Sequence, residues 1–141
     1  MKKAIILVII ILVGCFLTTL LVNYLNARNV TGQLFAVPLP DHTVMVESIS
    51  ATGKLAGNGN GMQFFGAILI HSELTLDELS AYYAQELPNA VVKEQKTPKI
   101  ACVEHRAISF HAAISDTQEY YIVYLFGNGI FPFSDLDIRG H

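Results

Sequence analysis

Residues Met62 to Leu87 read MQFFGAILIHSELTLDELSAYYAQEL, and a change of period inside this stretch sets the fold class. Up to His71 it is apolar and rich in aromatic and aliphatic residues. Phe64, Ile68 and Ile70 alternate with Phe65, Ala67 and Leu69, as in a strand covered on both faces. From Ser72 the period lengthens. Leu76, Leu79, Tyr82, Tyr83 and Leu87 recur at helical spacing, with Asp77, Glu78 and Glu86 on the other side. Thr75, followed three residues later by Glu78, predicts a capping box: hydroxyl and carboxylate satisfy free N–H groups at the helix start. Asp77 and Glu78 also suit the positive end of the helix dipole, and Pro88 stops the helix.

Working outward, His42–Thr52 is rich in Val, Ile and Thr and reads as a strand. The run Gly57-Asn58-Gly59-Asn60-Gly61 is a strong turn signal, so this strand and Met62–His71 form a long hairpin. Downstream, Ala90–Gln95 predicts a short strand and Lys96–Lys99 a turn. Ile100–Ala113 is β-rich with mixed parity, which a bulge near Glu104 would reconcile. Glu119–Gly127 is the last clear strand, again apolar in both parities. The expected architecture is α+β: an N-terminal transmembrane helix, then a small antiparallel sheet in the order β-β-α-β-β-β with one helix packed on one face. A single soluble helix covers only one side of such a sheet. Closure of the other side is expected from sheet curvature, Leu34–Val37, Phe131–Phe133 or a partner.

The chain begins with Met1-Lys2-Lys3, and Ala4–Val22 then runs nineteen residues without a charge. At about 1.5 Å per residue this helix would extend close to 28 Å, which suits a hydrocarbon core about 30 Å thick. Tyr24 falls where an interfacial aromatic is favoured. In so small a protein, a helix apolar all round has nothing to bury it. Residues 1–25 are therefore expected to be a membrane anchor. Residues 26–41, with Asn26, Asn29, Thr31-Gly32 and Pro38-Leu39-Pro40, read as a linker. Residues 42–141 read as an extracytoplasmic domain. The positive-inside bias of Lys2 and Lys3 places the amino terminus in the cytoplasm of a single-pass protein of the cell membrane.

The basic start, the apolar stretch and Leu12-Val13-Gly14-Cys15 together resemble a bacterial lipoprotein signal peptide. The resemblance covers residues 1–15 and implies lipidation of Cys15 after cleavage before it. Such proteins continue into a polar tether, whereas Phe16–Val22 stays apolar. Uncleaved, the same residues form a transmembrane helix, which is the preferred reading. Both routes tether the domain on the same side of the membrane.

Beyond Val22, seven Lys or Arg face twelve acids, a balance of −5. That argues against nucleic acid, which needs a basic stripe, and against docking on anionic lipid. Cys102 is the only thiol beyond the anchor and reads as a small packed residue, so no disulfide is expected within the domain. Gly57-x-Gly59-x-Gly61 precedes a strand, not the helix N-terminus that a phosphate cradle requires. His105 and His111 lie about 20 Å apart on a straight strand and could not share a metal. No HExxH, GxSxG or Walker pattern occurs, and neither a cofactor nor a catalytic set is expected. Tyr82, Tyr83, Tyr120, Tyr121 and Tyr124 are the candidate interaction surface, since Tyr is enriched at interfaces. The expectation is a non-enzymatic anchored domain that binds the bilayer through its N-terminal segment and a protein or envelope component through the domain. The alternative is a small-ligand or sensory domain with a pocket between helix and sheet.

Overall fold

A computed structural model describes residues 2–57, 61–115 and 117–130. It is an α+β fold in the order α1 (Lys2–Ala36), β1 (Thr43–Gly53), β2 (Gln63–Ser72), α2 (Leu76–Glu86), β3 (Val91–Glu94) and β4 (Tyr120–Gly127). The four strands form one antiparallel sheet in the order β1-β2-β4-β3. Because β4 pairs with both neighbours antiparallel, β2 and β3 run in the same direction with β4 between them. Helix α2 makes the crossover. Its predicted start is present: Glu78 N donates to the Thr75 hydroxyl at 3.3 Å, and Thr75 N donates to the Glu78 carboxylate at 2.8 Å.

The first difference from expectation lies at residues 26–36. No flexible linker separates anchor and domain, because α1 continues unbroken to Ala36. Asn23, Asn26, Ala27, Val30, Thr31 and Leu34 are buried and recur every three or four residues, so they form a helical stripe against the sheet. Tertiary packing outweighs the turn preferences of Asn29 and Gly32. Two glycines make the approach close. A Cβ on Gly66 would lie 2.6 Å from Thr31 N and 2.7 Å from its Cα, and one on Gly127 would collide with Val30 Cγ2. The helix backbone thus rests on β2 where no side chain intervenes.

The sheet is buried on both faces, as its strands predict. On one face Phe64, Ile68, Ile70, Tyr121, Val123 and Leu125 pack against Ala27, Val30 and Leu34 of α1 and Leu79 and Tyr83 of α2. On the other, Phe65, Ala67, Leu69, Ile122 and Tyr124 meet Leu55, Ile100, Val103 and Phe110. The second difference is here. Residues 100–113 are not a fifth strand; apart from an isolated Lys99–Ser109 bridge, they cross the sheet as an irregular cover. The mixed parity arises because Ile100, Val103 and Phe110 point down onto the sheet while Glu104, His105 and Arg106 stay exposed, a spacing no strand could give. The bulge lies in β1, between Met45 and Glu47. Of the segments expected to close the face opposite α2, Leu34 instead packs on the α2 face as part of α1, Phe131–Phe133 lie outside the described residues, and the closure comes from Leu55, Ile100, Val103 and Phe110.

One helix among the described residues is long and apolar enough to cross a membrane: α1, whose residues 4–18 are all exposed. The two threonines in its apolar run return their hydroxyls to the backbone, Thr18 to Gly14 O at 2.8 Å and Thr19 to Cys15 O at 3.0 Å, so neither presents an unbonded O–H to its surroundings. Cys15 is exposed on this helix.

Candidate functional site

The five tyrosines do not form one surface. Tyr121 and Tyr83 sit in the core beneath the helices, and Tyr124 is buried on the opposite face beside Phe65, ring centroids 5.8 Å apart. Tyr83 is 1% exposed and its hydroxyl meets no hydrogen-bond partner; burial, with Tyr82 alongside, pushes its pKa up to about 12. Tyr82 is half-buried and donates to Pro38 O at 2.9 Å, tying α2 to the segment after α1. Tyr120 donates to Gln118 at 2.6 Å. Period-two alternation along β4 sends neighbouring tyrosines to opposite faces, so their clustering in sequence is not a clustering in space.

A set of polar side chains fastens the cover segment. Glu47 follows the β1 bulge and faces the cover. One carboxylate oxygen accepts the backbone N–H groups of His111 and Ala112, both at 2.8 Å, and the other lies 2.8 Å from His111 Nδ1. Burial alone would raise the Glu47 pKa, but these hydrogen bonds to the charged form hold it below the usual value. At the far end, Glu104 N and His105 N donate to Leu55 O at 2.7 and 3.1 Å, and His105 Nε2 lies 2.7 Å from Gly57 O. Cys102 is partly buried, which raises its thiol pKa. No group of three or more metal-ligating side chains occurs among the described residues.

A concavity lies elsewhere, between α1 and β1. It is a groove of about 500 Å³ lined by Phe16, Leu20, Asn23, Tyr24 and Ala27 on the helix, by the backbone and side chains of Ser50–Gly53, and by Met62 and Arg106. Its helix wall is one stripe at positions i, i+4, i+7, i+8 and i+11. The sheet wall carries hydroxyls because Ser50 and Thr52 fall on the α1 side of β1, as alternation requires. Thr31 and Ser50 hydroxyls meet at 2.6 Å and close the upper end. Two residues of the lining carry a polar atom that is closed off from the surface and has no partner: Asn23 Oδ1, on a residue 5% exposed, and Thr52 Oγ1. Arg106 is exposed at the mouth, its Nη1 donating at 3.4 Å to Thr52 O, and it makes no ion pair among the described residues. A pocket between helix and sheet was anticipated, but with α2 as the helix. The signal for these residues was the 23-26-27-30-31-34 stripe, which continues the anchor in phase.

Comparison with protein-family models, with curated proteins and with solved structures finds no match to this chain.

Proposed function

We propose that this chain is a single-pass membrane-anchored binding domain, with its amino terminus in the cytoplasm and its domain on the other side. In this reading it acts by holding an envelope component in the groove between α1 and β1. The observation that carries the reading is that groove: it is of ligand-binding size, shares a wall with the candidate span, and is lined by Asn23, whose buried amide oxygen has no partner. A buried unpaired polar atom costs free energy, which a ligand supplying the missing hydrogen bond recovers. The non-enzymatic reading is supported by the use of Glu47, His105 and Glu104 in fastening the cover segment. Lys2 and Lys3 support the orientation. The packing of the same helix into the domain from Asn23 to Leu34 supports an anchor integral with the domain over lipidation.

Two experiments test this. Reporter fusions after His141 should be active only with a reporter that works outside the cytoplasm; a cytoplasm-only signal removes the topology. Full-length chain isolated from its own membrane in mild detergent should carry a companion molecule, detectable by mass spectrometry, that is lost when Met62→Trp fills the groove. If no companion depends on Met62, the groove is not the binding site.

A second reading is strand addition at β1, the outer strand of the described sheet, where Val44, Met45 and Val46 are exposed, Val44 at 63%. The bulge between Met45 and Glu47 breaks the edge ladder there, a device that disfavours such pairing.

A further inference from the structure

The groove changes polarity along its length, and the order of that change identifies its occupant. Phe16 and Leu20 belong to the uncharged run and lie within the last two turns before Val22, at hydrocarbon depth. Asn23 and Tyr24 follow at the level where a bilayer passes from acyl chains to ester groups, a depth that suits Tyr. Across from them stand Ser50 and Thr52, and Arg106 contacts Thr52 O from the mouth. An apolar wall gives way to a hydroxyl and amide pair with a guanidinium beside it, and these match the acyl chain, ester and phosphate of a glycerophospholipid. The groove shares Phe16 and Leu20 with the lipid-facing surface of the helix, so it opens sideways into the bilayer. Lipid therefore reaches it without leaving the membrane.

We infer that the groove holds one zwitterionic glycerophospholipid of the bilayer, with its phosphate on Arg106, its ester region at Asn23 and Thr52, and an acyl chain along Phe16, Leu20 and Met62. This rests on the reading of the groove as the binding site. Arg suits the phosphate because its planar fork presents several N–H donors. Thr52 Oγ1 is closed off from the surface as it stands, and on turning about the Cα–Cβ bond it donates to an ester carbonyl. The Asn23 amide, turned over about its terminal bond, presents N–H to the same group; the sense of an amide follows its hydrogen-bond partners. The acidic balance of the domain disfavours a broad anionic surface. It leaves room for one phosphate at one exposed arginine, and a zwitterionic headgroup adds no net negative charge.

The test reconstitutes the full chain in phosphatidylcholine vesicles containing a minor fraction of phosphatidylethanolamine with a diazirine on one acyl chain. After illumination, adducts are mapped by mass spectrometry. The span is labelled in any case, so the informative adducts are those on Met62, where the held acyl chain lies. These adducts should form on the native chain and fall about tenfold in Arg106→Gln, the weight of one hydrogen bond to a charged group. Thr52→Val should lower them in the same direction. Lys99→Gln, which removes a charge from the cover segment away from the groove, should leave them unchanged, and thermal melts should show all three variants folded. Absence of these adducts, or equal labelling in Arg106→Gln and Lys99→Gln, overturns the inference. If Met62→Trp nevertheless releases another companion, the groove remains a binding site and only its assignment to lipid fails.

Discussion

Gly66→Ala adds one methyl group at the point where α1 meets the sheet. The new Cβ would lie 2.6 Å from Thr31 N, 2.7 Å from its Cα and 2.8 Å from its Oγ1. Two of these three atoms are helix backbone, so no rotamer change relieves the contact. Restoring an ordinary separation requires α1 to rise by roughly 0.8 Å, which loosens dispersion contacts along the whole stripe. Overpacking of this kind costs about 1–3 kcal/mol. Lifting the helix also stretches the 2.6 Å Thr31–Ser50 hydrogen bond, worth about 0.5–1.5 kcal/mol. Against this, replacing Gly within a strand recovers about 0.5–1 kcal/mol of backbone entropy. The net expectation is a loss of about 2 kcal/mol, or about 10 °C in Tm for a domain of this size. Gly32→Ala is the matched control. It lies on α1 with nothing within 4 Å of its Cβ, so it should stabilise by about 0.5–1 kcal/mol. Thermal melts of the two full-length variants in the same detergent decide the matter. Equal Tm values, or a lower one for Gly32→Ala, would refute a helix seated on the sheet backbone.

Thr75→Ala removes the acceptor for Glu78 N and should cost about 0.5–2 kcal/mol by thermal or denaturant melting. Tyr83→Phe should act in the opposite sense, because it deletes a buried hydroxyl without a partner; a gain of about 1 kcal/mol is expected, and a marked loss would mean the hydroxyl is hydrogen-bonded. Glu47 has a pKa lowered from its ordinary 4.5, so its contribution is complete above that value and is lost as pH falls through the lower folded value. Amide exchange at His111 and Ala112 should accelerate on acidification across that window. Glu47→Gln should weaken protection there at neutral pH and flatten the acid response; identical pH profiles for the two proteins would refute the clamp.

Much of the architecture was legible because its elements are locally consistent. The Thr75–Glu78 cap, the Pro88 stop, the hairpin and both-face burial of β2 and β4 all follow from short patterns. The α1 extension was harder to read. Asn23, Asn26, Asn29 and Gly32 carry turn preferences, and the evidence for helix lay in a stripe whose partners, Gly66 and Gly127, are distant in sequence. The cover segment failed for a related reason. Ile100, Val103 and Phe110 are β-like in composition, yet their burial follows an irregular path fixed by Glu47 and Leu55, and no local period records that. The groove combines both difficulties, since its walls come from the anchor and the hairpin, and neither alone suggests a site.

The unbroken course of α1 also locks rotation to length. Each residue of an α-helix adds about 100° of turn and about 1.5 Å of rise, and the glycine contacts at Thr31 and Val30 hold the upper half in one angular setting. One residue inserted beside Val22 would therefore swing the lower helix by about a quarter-turn relative to the domain and carry Phe16 and Leu20 away from Thr52. The anchor is keyed to its load, like a shaft cut with a spline. A neighbour gripping the helix below Asn23 would set the compass bearing of the whole sheet.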